Sequence, residues 1–96
     1  MAKRRLPPGY RLGAIAFLET CRRWRKEAPT EPMSMASDLR MAVADQPETF
    51  CIGFYEALSL FLLMTILEGG PPVLDSWDPI LELEDPSALL EERDHA

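Results

Sequence analysis

The sequence contains no asparagine, one glutamine, one histidine and two cysteines. The histidine, His95, stands next to the last residue. So sparse a set excludes a zinc site built from several His and Cys side chains, and a histidine-based catalytic triad is a poor fit. Ser76, between Asp75 and Trp77, lacks the glycines of a nucleophile elbow. Gly69-Gly70 runs into Pro71-Pro72 rather than into a helix, so it matches neither a P-loop nor a dinucleotide fingerprint. No twelve-residue calcium loop is present. Cys51 falls near the start of an apolar segment, where a helix terminus favours a thiolate, but it reads more simply as a small core residue. Neither enzymatic activity nor a cofactor or metal is expected.

Long membrane-spanning runs are also missing. The longest nearly pure apolar stretch, Ala57 to Leu67, is interrupted by Ser59 and Thr65. A bilayer needs about 20 apolar residues, so no transmembrane span is expected. The N-terminus is basic, but Pro7, Pro8, Gly9 and Arg11 break up any secretory leader. Two cysteines without a leader predict free thiols in a cytoplasmic or other reducing compartment, with no Cys21–Cys51 bridge.

What is present is a globular balance: 47% apolar and 27% charged residues in 96. That length holds one modest core. The net charge of −6 conceals a split. Residues 1–26 carry Lys3, Arg4, Arg5, Arg11, Arg22, Arg23, Arg25 and Lys26 against Glu19 alone, whereas residues 27–96 hold fifteen acids and only Arg40 and Arg93. The two ends either face each other across the fold or mark a charged partner.

Prolines cut the chain into segments. Tyr10, Ala14, Phe17, Cys21 and Trp24 recur at helical spacing, which predicts a helix over about 10–28. Its last turns gather cations, as the helix dipole favours. Met35, Leu39, Ala42 and Val43 predict a short helix over 35–45, capped by Ser34 or Ser37. Asp45 and Glu48 stand at capping-box spacing before a third helix over 47–68. Phe50, Phe54, Ala57, Phe61 and Met64 line one side of it, and Ile52, Tyr55, Leu58, Leu60, Leu62, Leu63 and Ile66 fill the others. A helix apolar nearly all round must be surrounded by something.

Residues 73–96 hold eight acids and two similar starts, Asp78-Pro79 and Asp85-Pro86, each predicting a short helical turn. Strand patterns are absent. The expected architecture is an all-α, three-helix domain over 1–72, with the apolar third helix central, followed by an acidic, partly helical tail over 73–96.

These features favour a non-enzymatic protein–protein interaction module: an adaptor, inhibitor or assembly factor that self-associates into a homo-oligomer. Phe54, Leu58, Phe61 and Leu62 are the expected shared interface. Trp77, Ile80 and Leu81 form an aromatic-aliphatic anchor that either docks into a partner or folds back on the chain. In the alternative, Arg22, Arg23, Arg25 and Lys26 contact nucleic-acid phosphates, with Trp24 stacking on a base, although a pI near 4.7 opposes it. Membrane association is a further alternative. Size and economy resemble small accessory proteins of phages or viruses.

Overall fold

A computed structural model describes residues 5–84. Within them the protein is all-α, with helices α1 (Pro8–Lys26), α2 (Pro32–Val43), α3 (Glu48–Leu67) and α4 (Pro79–Glu84) and no strand. The second Asp-Pro start, at Asp85-Pro86, lies outside the described residues.

Prolines set the helix starts more firmly than the polar caps do. In α1, Pro7 is the N-cap and Pro8 opens the first turn, where a missing N–H removes no bond. Pro32 does the same for α2, so Ser34 and Ser37 lie inside the helix instead of capping it. Pro47, not Asp45, precedes α3, and no side chain caps it. Asp45 sits at φ 59° in the turn after α2. There its short polar side chain tolerates a left-handed backbone, which aspartate accepts better than most residues. The expected Asp-Pro start does occur at α4, where Asp78 Oδ1 accepts the Ile80 N–H at 3.0 Å.

The core is an α1–α3 pair in backbone contact. A Cβ on Gly13 would stand 2.0 Å from the Phe50 carbonyl oxygen, and one on Gly53 would stand 2.0 Å from that of Tyr10. Each helix therefore contributes a glycine where the other's backbone passes. The Tyr10 hydroxyl donates to the Glu56 carboxylate across the same crossing. Beyond it, Phe17, 1% exposed, is the hub of an aromatic cluster. It meets Phe54 edge-on at 5.6 Å, Phe61 at 5.9 Å and Trp77 at 6.4 Å between ring centroids. Edge-to-face pairs of this kind add about 0.5–1.5 kcal/mol each beyond their buried area.

The described part of the acidic tail packs back on this pair, with Trp77, Ile80 and Leu83 buried against it. Its polar atoms meet the basic helix. Arg22 donates to the Leu74 carbonyl through Nε at 3.2 Å and through a terminal nitrogen at 3.0 Å. Arg25 pairs with Asp75 at 2.6 Å, and Arg11 with Glu84 at 3.7 Å. The charge split seen in the sequence is thus met within one chain over residues 11–84. By contrast, α2 lies against the pair without a single buried residue, and only Leu39, Ala42 and Val43 rest on the core.

Candidate functional site

Helix α3 carries two apolar stripes. The inner one, with Phe54, Ala57, Leu60, Phe61 and Met64, packs into the core formed with α1 and the described part of the tail. The outer one is Ile52, Tyr55, Ser59, Leu62 and Ile66, three and four residues apart in alternation. All five are exposed, Leu62 by 48% and Ile66 by 73%. Among the described residues nothing covers this stripe. Ser59 is its only polar member, and its hydroxyl is already used, donating to the Tyr55 carbonyl at 2.8 Å.

The four residues expected at a shared interface are placed differently from one another. Phe54 is fully buried within its own chain, and Phe61 is half-buried, edge-on to Phe17 and Trp77. Leu58 is half-buried and only Leu62 is exposed. Ile52, Tyr55 and Ile66 belong to the open surface and were not among the expected contacts. The same alternating spacing would have revealed them, but an all-apolar helix gives no polar face to say which stripe points outward.

Of the two outcomes expected for the Trp77, Ile80 and Leu81 segment, the structure shows it folded back on the chain: Trp77 and Ile80 are buried, and Leu81 remains exposed. The reason is local: Phe17 and Phe61 offer aromatic edges to Trp77, whose indole N–H donates to Glu82 at 3.3 Å.

The four cations of the nucleic-acid alternative do not converge. Arg22 and Arg25 hold the tail segment, and Arg23 lies 3.9 Å from Asp38. Lys26 is exposed on the last turn of α1. The paired charges hold the Asp75 carboxyl below its ordinary range and push the Arg25 guanidinium up, through the hydrogen bond first and charge attraction second. Trp24 is half-buried, and its indole N–H donates to Asp38 at 2.8 Å, which ties α1 to α2 instead of leaving the ring for a base.

A cleft of about 370 Å³ opens beside the outer stripe. Phe17, Cys21 and Trp24 of α1, Met35 and Leu39 of α2, and Leu58 and Leu62 of α3 are among its lining residues. Burial pushes the Cys21 thiol up from its usual 9.0 to about 11, so it stays protonated and unreactive at neutral pH. Both cysteines are free, and the Cys51 thiol donates weakly to the Val43 and Gln46 carbonyls, 3.7 Å from each. Among the described residues no three His, Cys, Asp or Glu side chains gather closely enough to hold a metal ion.

Length alone does not separate α3 from a membrane span. Its 20 residues are long and apolar enough to cross a bilayer, with 22% of its most apolar window buried inside this fold. Phe50, Ile52, Phe54 and Tyr55 extend the apolar stretch beyond the Ala57–Leu67 run, past the isolated Glu56. Compared with known proteins, the chain matches no family model, no curated protein and no solved structure.

Proposed function

We propose that this chain is a non-enzymatic protein-interaction module, of the adaptor, inhibitor or assembly-factor kind, and that its contact surface is the outer stripe of α3. One observation carries the reading: with α1, α2 and the described part of the tail packed, Ile52, Tyr55, Leu62 and Ile66 stay exposed along one line of α3, with Ser59 in their midst. Isolated exposed apolar residues are ordinary, whereas a contiguous patch on a small domain is the usual mark of an interaction site. Two free cysteines suit a reducing compartment such as the cytoplasm.

A photoreactive benzophenone side chain placed at position 66 tests this in the cell that makes the protein. Covalent protein adducts are expected there and not at position 12, an exposed apolar position on the far side of α1. Equal labelling at both positions, or none at 66, overturns the reading.

A further inference from the structure

We propose that the cleft between α1, α2 and α3 is a binding site for a linear amphiphilic anion, a medium-chain fatty carboxylate, whose chain lies along α1 and whose head meets Arg25. This site needs no second protein and does not depend on the outer stripe.

The space itself comes first. Protein interiors hold few voids larger than a water molecule, yet about 370 Å³ stands open between these helices. That volume lies in the range of small-molecule pockets. Phe17 and Cys21, Met35 and Leu39, and Leu58 and Leu62 form walls on the three helices in turn. A water settles in a cavity when it finds about 2–4 polar partners. Here the indole N–H of Trp24 is already given to Asp38. Among the described residues no buried side-chain nitrogen or oxygen lacks a partner. An apolar occupant therefore gains more from these walls than water does.

Polarity along the cleft then selects the ligand. On α1 the lining runs from Phe17 to Arg25, about 12 Å of helix. Phe17, at one end, is 1% exposed, whereas half of the Arg25 side chain is exposed at the other. Arg25 is the one charged residue among those lining the cleft. Its stem covers apolar surface while its guanidinium stays in water. Asp75 takes one terminal nitrogen at 2.6 Å, but a guanidinium carries five donors in a fork that fits a carboxylate. Arg22 holds the carbonyl of Leu74, itself a lining residue, so it stands at the same rim. Two guanidiniums are thus set there against one carboxylate. A straight apolar chain ending in an anion matches both ends, and a neutral chain leaves the cationic end unused. Entry is provided by α2, which has no fully buried residue, and by the flexible Met35 that it carries.

The full chain in a Cys51→Ala background, titrated with decanoate below its micellar concentration and with decanol, tests this. Calorimetry is expected to give one decanoate per chain, bound about tenfold more tightly than decanol. Arg25→Met is expected to erase that preference. Bound decanoate is expected to slow the reaction of Cys21 with N-ethylmaleimide. Leu39→Trp, which fills the cleft from α2, is expected to abolish binding while circular dichroism keeps its helical signal. Absence of decanoate binding overturns the site, and so does binding that leaves the Cys21 reaction unchanged or survives Leu39→Trp, since the ligand then lies elsewhere. Equal affinity for decanol overturns the anionic class.

Discussion

Cys21 turns burial into a measurable pH response. Its pKa in the fold, about 11, lies above its ordinary 9.0 because burial penalises the thiolate. The protonated form is therefore favoured by the native state. Its contribution is fully present below pH 9.0 and is lost as pH rises through about 11. Denaturant melts of the parent chain and of Cys21→Ala, compared from pH 8 upward, are expected to differ in slope. The parent loses stability over that range, and the variant loses less of it. The same residue was legible in the sequence, since the spacing of Tyr10, Ala14, Phe17, Cys21 and Trp24 placed it on the inward face. Trp24 was only half legible: its position on the stripe was evident, but its bond to Asp38 needs the angle between α1 and α2. Helical spacing fixes which face a residue shares and says nothing about what comes to meet it.

Helix pairing in this protein depends on two positions with no side chain. Gly13 and Gly53 let α1 and α3 approach until backbone meets backbone. Gly13→Ala is expected to force the helices apart and to cost about 1–3 kcal/mol, as overpacking a filled core does. Gly9→Ala is the contrasting control. Its Cβ would meet Thr49 at 3.5 Å, an ordinary contact, and thermal melts are expected to leave it unchanged or slightly more stable. Glycines inside a strong helical pattern were the available signal, because they lower helix propensity without an obvious return. Sequence reading placed three helices and the Asp78-Pro79 turn to within a few residues and misjudged how two of them, α2 and α3, begin. A proline at or just before the first position organises a helix start through its fixed φ, and that outranked Ser34, Ser37 and Asp45 as caps.

Across the molecule as a whole, opposite charges meet but burial does the holding. The Arg25–Asp75 pair is solvent-exposed and the Arg11–Glu84 pair partly so, and such pairs hold weakly and are screened by salt. Trp77, by contrast, closes an aromatic cluster with Phe17 and Phe61. Raising the salt to molar concentration is expected to shift the melting temperature little, while Trp77→Ala is expected to cost about 3–5 kcal/mol. A large salt effect with a mild Trp77→Ala would reverse that ranking. The charge split in the sequence left open whether the basic helix and the acidic segment meet within one chain or mark a partner, and it gave no sign that an aromatic side chain would fasten them.

The loose seating of α2 gives the molecule a hinge of its own. An element with no fully buried residue, only Leu39, Ala42 and Val43 half-covered against the core, has little to lose by lifting. Its amide protons are expected to trade for deuterium long before those at the Gly13–Gly53 crossing, in a step that leaves the rest of the fold standing. Met35 and Leu39 of that helix line the cleft over Cys21, so labelling of its thiol by a small reagent is expected to keep pace with the same exchange.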